Sequence, residues 1–158
     1  MAALTKDSIF RYLGNPVKMS FSSNQAATAP FYAGSLVYID TAGGVQSVPA
    51  VADIFIGISP KQQAVAIGAE VEVLVDGIFL LPLGGSITAA NEGDVLIHDV
   101  SATQSDNPTD TAAYAATTVA VGGSSDQIIG DILRVTTEGM WVKLTPGKTI
   151  KTDAGIIG

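Results

Sequence analysis

The sequence predicts an all-β domain at residues 31–145, with an extended arm at 1–30 before it and a short tail at 146–158 after it. Three observations carry that reading. Glu70, Val71, Glu72 and Val73 alternate polar with apolar, the period of a half-buried strand. Glycine is abundant, at 17 residues, turn signals recur, and sustained helical periodicity is rare. The charged fraction is 15%, against roughly 25% for a usual soluble domain, so much of the exterior is expected to face protein.

Within the arm, Thr5-Lys6-Asp7-Ser8 can cap one helical turn carrying Ile9, Phe10 and Leu13, and Gly14-Asn15-Pro16 breaks it. Ser20 to Pro30 is small and polar without a period. Ile9, Phe10, Tyr12, Leu13 and Phe21 are too many bulky groups for a solvated tail. They either fold back on their own core or dock on a partner that orders them.

The domain opens with a hairpin: Leu36–Ile39 and Val45–Val48 flank Asp40-Thr41-Ala42-Gly43-Gly44. Ile54–Ile58 is a further strand, ended by Ser59-Pro60, and Lys61–Ala69 is a connector with room for a helical turn. The alternating strand follows. After Asp76-Gly77 its continuation, Ile78-Phe79-Leu80-Leu81, is apolar on both faces and needs cover from both sides, which in a small β domain often comes from another subunit. Gly84-Gly85-Ser86 and Asn91–Asp94 are turns around the short strand Val95–His98. Ser101–Thr111 is a polar loop, Ala115–Val121 an edge strand, and Gln127–Thr136 with Met140–Leu144 the last hairpin, turning at Glu138-Gly139. In its second strand Val142 and Leu144 share one face, Trp141 and Lys143 the other.

Composition excludes several functions. Net charge is −7 with eight Lys and Arg scattered along the chain, so there is no basic stripe to displace counterions from nucleic acid. No apolar run reaches the length of a membrane span, the N-terminus lacks the apolar core of a secretory signal, and cysteine is absent, which removes disulfides and thiolate metal sites.

No residue pattern points to catalysis. His98 is the sole histidine and sits beside Asp99, but a relay needs a nucleophile and an orienting group in register, so it reads as structural or solvated. Asp94, Asp99, Asp106 and Asp110 surround one loop without the spacing of a calcium loop. Glu70 and Glu72 share a strand face, which they keep wet. Gly84-Gly85-Ser86 and Gly122-Gly123-Ser124-Ser125 lack the lysine of a phosphate loop. Trp141 is either an interface anchor or an ordinary core residue. No catalytic, cofactor or metal residue is assigned.

The order of motifs from Gly34-Ser35-Leu36-Val37-Tyr38-Ile39 through Ile56-Gly57-Ile58-Ser59, Gly68–Val73, Asp76–Pro82, Gly93–Ile97 and Ile129-Gly130-Asp131-Ile132 to Trp141–Leu144 resembles the capsid cement, or head decoration, proteins of tailed bacteriophages. The resemblance spans residues 31–145 and excludes loop 101–111 and the tail. It implies a small β-barrel-like (β-tulip type) domain assembling as a homotrimer on the outer surface of the virion capsid. There it would bind the major capsid protein and hold the expanded shell against packaged DNA. Ile9, Phe10, Tyr12, Leu13 and Phe21 are then the expected capsid contacts of the arm. Ile78, Phe79, Leu80, Leu81 and Trp141 are the expected trimer seam. Two other classes stand beside it. One is an adhesion or carbohydrate-binding module using Trp141 and Tyr114. The other is a trimeric nucleotide hydrolase, whose Arg- and aromatic-bearing tail is missing here.

Overall fold

A computed structural model describes residues 11–25, 30–47, 53–63, 66–83, 87–99, 114–117 and 126–145. The chain is all-β, one antiparallel sheet curled into a half-barrel. Its strands are β1 (Arg11–Ser22), β2 (Leu36–Ile39), β3 (Val45–Gln46), β4 (Ile54–Ile58), β5 (Glu70–Leu81), β6 (Val95–Asp99), β7 (Tyr114–Thr117), β8 (Asp126–Val135) and β9 (Met140–Leu144). They run in the order β3-β2-β4-β5-β9-β8-β6-β7, with β1 laid on β5 as a branch. A 3₁₀ turn at Ala89–Asn91, capped by Thr88, leads into β6.

The curl originates in β5. A strand has two hydrogen-bonding edges. One edge of β5 pairs with β1, from Glu70 to Leu80. The other is divided: Leu74 pairs with Ile58 of β4, and Ile78 to Leu81 pair with Lys143 to Met140 of β9. Two wings, β4-β2-β3 and β9-β8-β6-β7, therefore leave the same edge and fold over a common interior. That interior joins Leu36 and Tyr38 of β2, Phe55 of β4, Phe79 and Leu81 of β5, Leu96 of β6, Ile132 of β8 and Val142 of β9 in one buried cluster. A second cluster on the opposite face of the first wing holds Phe31, Val37, Val45, Val71 and Val73, with Phe21 of β1 packed against it.

β5 serves both clusters because its phase shifts midway. Val71, Val73 and Val75 face the second cluster, whereas Phe79 and Leu81, an even number of residues further on, face the first. Regular alternation would keep all five on one face. The shift occurs at Asp76-Gly77, where the ladder jumps from Val17↔Asp76 to Lys18↔Leu74 and Gly77 adopts φ +134°, open to glycine alone at little cost.

This geometry corrects part of the sequence reading. Phe79, Leu80 and Leu81 are 0%, 1% and 2% exposed within the single chain. Phe79 and Leu81 are covered in cis by the two wings, and Leu80, on the other face beside Trp141, is likewise buried by its own chain, so none of the three depends on another subunit for cover. Of the five residues assigned there, Ile78 and Trp141 remain partly exposed. The sheet also begins earlier than Phe31. Residues 11–22 form β1 on the chain's own β5, so Leu13 lies on a strand and not on a helical turn. Gly14-Asn15-Pro16 is a bulge inside that strand: β1 advances four residues, Leu13 to Val17, while β5 retreats two, Ile78 to Asp76. The described part of the 61–69 connector has no helical turn; Gln63 bridges to Phe31 instead. Ile9 and Phe10, loop 101–111 and the tail lie outside the described residues.

Candidate binding surface

Among the described residues β1 is the longest strand with a single strand partner, the short β3 and β7 being the other edges. The outer edge of β1 has no strand partner among the described residues. Six large apolar side chains are exposed among the described residues, and four belong to this strand: Tyr12 (47%), Leu13 (55%), Val17 (50%) and Met19 (51%). An open apolar edge is a template for pairing with another chain. Its central Pro16, which lacks an N–H, and the flanking Arg11 and Lys18 restrain indiscriminate pairing.

Arg11 Nη1 bonds Glu138 Oε2 at 2.7 Å, tying the start of β1 to the β8–β9 turn. Tyr12 lies over Phe79, ring centroids 6.1 Å apart, so an exposed aromatic rests on a buried one. Phe21 is half-buried and faces the second cluster. Of the residues expected on the arm, Tyr12 and Leu13 thus point outward and Phe21 packs inward. Beside Leu13 a shallow groove of about 320 Å³ runs across the sheet, lined by Leu13, Ile78, Leu133, Arg134 and Trp141. Trp141 and Ile78 meet there through β5–β9 pairing, which sequence spacing alone did not join.

On the other side of the bulge a cleft of about 460 Å³ is lined by Tyr12, Asn15, Pro16, Lys18, Pro60, Lys61, Glu72 and Leu74. Lys61 Nζ lies 3.1 Å from Glu72 Oε2, and Lys18 Nζ 3.6 Å from Glu72 Oε1. These ammonium groups, Lys61 first and Lys18 second, hold the Glu72 carboxyl below the usual glutamate range. Glu72 is therefore an ion-paired residue rather than half of a carboxylate pair with exposed Glu70. Nothing in the sequence signalled this trio, because Lys18 reaches Glu72 only through the β1–β5 register, where Ser20 is opposite Glu72 and Lys18 opposite Leu74.

His98 is fully buried, and its Nδ1 is hydrogen-bonded to the Tyr38 hydroxyl at 2.6 Å. It links β6 to β2 and, of the two readings the sequence left, structural or solvated, burial rules out the second. Asp40 organises the β2–β3 turn: it accepts from Asn24 Nδ2 and from the amides of Ala42 and Gly44. Those bonds, led by Asn24, lower its carboxyl below the ordinary aspartate range. Among the described residues no group of three or more His, Cys, Asp or Glu is placed to hold a metal ion, and no helix is long and apolar enough to cross a membrane. Asp106 and Asp110 lie outside those residues.

What fold and surface define is an all-β half-barrel whose interior is closed by its own wings and whose first strand is presented to the exterior. Comparisons with protein-family models, curated proteins and solved structures find no match.

Proposed function

We propose that this chain is a capsid decoration, or cement, protein that binds the outside of an expanded phage head as a homotrimer and stabilises the shell against internal DNA pressure. The observation that carries the reading is β1, which among the described residues pairs on one edge only and exposes Tyr12, Leu13, Val17 and Met19. A strand of the major capsid protein added there gains backbone hydrogen bonds for affinity and side-chain contacts for register. The groove of Leu13, Ile78, Leu133, Arg134 and Trp141 is the corresponding surface for contact between subunits. The low charge of 15% fits an exterior largely covered in the assembly. Stabilisation then follows from multivalency: each trimer ties several shell subunits, and local rupture must break several contacts together.

The test is to mix purified protein with expanded, undecorated heads, sediment them, and follow release of DNA on heating. Co-sedimentation in multiples of three per capsid site and a raised rupture temperature are expected. Leu13→Ser with Met19→Ser should weaken binding while the free protein keeps its fold by circular dichroism. Heads whose rupture temperature is unchanged at saturating protein would overturn the reading.

A further inference from the structure

The cleft beside the β1 bulge has features that a decoration role does not require. The bulge costs ladder pairing, and Gly14 inside it adopts φ +71°. Bulges of this kind re-aim side chains next to functional sites. Here the detour places Asn15-Pro16 in the lining of the cleft, together with Pro60-Lys61 after the end of β4. The wall is braced from behind. A Cβ on Gly77 would lie 3.1 Å from both Pro16 Cβ and the Phe79 ring, so the proline sits directly on the β5 bulge. Tyr12 in turn rests on buried Phe79. Two prolines and one supported ring make this a preformed concavity, and its volume lies in the usual range of about 300–1,000 Å³ for small-ligand sites.

Its charge is unbalanced. The lining carries two ammonium groups, Lys18 and Lys61, and one carboxylate, Glu72, in a chain whose net charge is −7. The two lysines flank different oxygens of that carboxylate. The internal glutamate thus displays the recognition the site performs: one flat, two-oxygen anion between two ammonium groups, with an aliphatic stem against apolar walls. A second carboxylate would neutralise the cleft, and Tyr12, Pro16, Pro60 and Leu74 supply contact for the carbon frame behind it.

We propose that this cleft is a binding site for a carboxylate-bearing group, such as a glutamate or aspartate side chain on an extended segment. The occupant is an acidic side chain on a peptide segment, and the proposal stands independently of the decoration reading because it concerns the chemistry of the cleft and not the capsid.

The experiment titrates ¹⁵N-labelled full-length protein with the blocked tripeptide Ac-Ala-Glu-Ala-NH₂, its glutamine twin, and inorganic phosphate. The glutamate peptide should shift the amides of Tyr12, Asn15, Lys18 and Lys61, and the glutamine peptide should not. Lys18→Gln and Lys61→Gln should each weaken binding by roughly two- to fivefold, the range of an exposed ion pair. Glu72→Gln should tighten it, since the internal competitor is gone. Glu92→Gln, the same charge change on the far side of the 3₁₀ turn, should leave it unaltered. Equal shifts from the glutamine peptide, stronger shifts from phosphate, or weakening by Glu72→Gln would each overturn the assignment. Because all these side chains lie on the surface, unchanged far-ultraviolet circular dichroism checks that the variants remain folded.

Discussion

Replacing Gln63 by alanine should destabilise the chain more than a change in a connector ordinarily would. The Gln63 carboxamide is buried and acts as a piece of strand. Its Nε2 donates to the Glu72 carbonyl at 2.8 Å and to Ser59 Oγ at 3.0 Å, while its Oε1 accepts from the Glu72 amide at 2.9 Å. The Gln63 backbone meanwhile exchanges both of its bonds with Phe31, at 2.8 and 3.0 Å. The side chain therefore fills the place on β5 that β4 leaves open, since the β4–β5 ladder registers only Ile58 with Leu74. Alanine would strip partners from the Glu72 N–H and C=O together. At about 1–1.5 kcal/mol for each such group, the loss is about 2–3 kcal/mol. With a urea m-value of about 2–3 kcal/mol/M, the midpoint should fall by about 1 M. Unfolding is followed by Trp141 fluorescence and circular dichroism, and by exchange of the Glu72 amide, which should accelerate in Gln63→Ala. Gln63→Glu is the companion variant. It keeps an acceptor for the Glu72 amide but sets an oxygen against the Glu72 carbonyl, so its penalty should shrink on acidification, when the neutral acid donates again. A midpoint shift below about 0.3 M for Gln63→Ala, within the error of such extrapolations, would refute the idea that this side chain completes the ladder.

Further expectations follow from other contacts. Gly57→Ala should cost about 2 kcal/mol or more, because a Cβ there would sit 2.2 Å from the Leu74 carbonyl oxygen at the β4–β5 junction; thermal unfolding measures it. Tyr38→Phe should cost about 1–3 kcal/mol by removing one side of the buried bond to His98, again read from urea midpoints. The Glu72 carboxyl, lowered in the fold by Lys61 and Lys18, contributes stability above the unfolded glutamate pKa, and that contribution is lost as pH falls through its lowered folded value. Lys61→Met should raise the Glu72 midpoint in a carbon-detected titration and narrow the stability difference between neutral and acid pH. Arg11→Ala should change stability by less than about 1 kcal/mol, since its partner Glu138 is equally exposed.

Strand positions were legible wherever local chemistry was strong. Leu36–Ile39, Ile54–Ile58 and Met140–Leu144 agree with the structure, and the expected alternation separates buried Val142 and Leu144 from partly exposed Trp141 and exposed Lys143. Residues that depend on pairing between distant segments were not legible. A run apolar on both faces has the same pattern whether a second subunit or the same chain covers it; here the wings cover Phe79 and Leu81, and Leu80 is buried on the other face, also within the chain. Similarly, Gly14-Asn15-Pro16 carries the signature of a breaker in isolation, yet a strand tolerates it when the extra residues can bulge outward at an edge. The Lys18–Glu72–Lys61 trio and the Gln63 bridge have no short-range signature, because each joins segments brought together only by register.

The forked strand also sets the order in which the chain can mature on the ribosome. Residues up to Leu81 include every strand partner of β2, β3 and β4 among the described residues, so that half can begin to pair while synthesis continues. Phe79 and Leu81, however, must wait for Val142 and Met140, some sixty residues later, before their lid exists. Nascent polypeptide therefore passes through an interval with a greasy, half-zippered ribbon bare to water, when clumping competes with completion. Truncation just before Met140 would freeze that interval, yielding an insoluble product rather than a smaller soluble one.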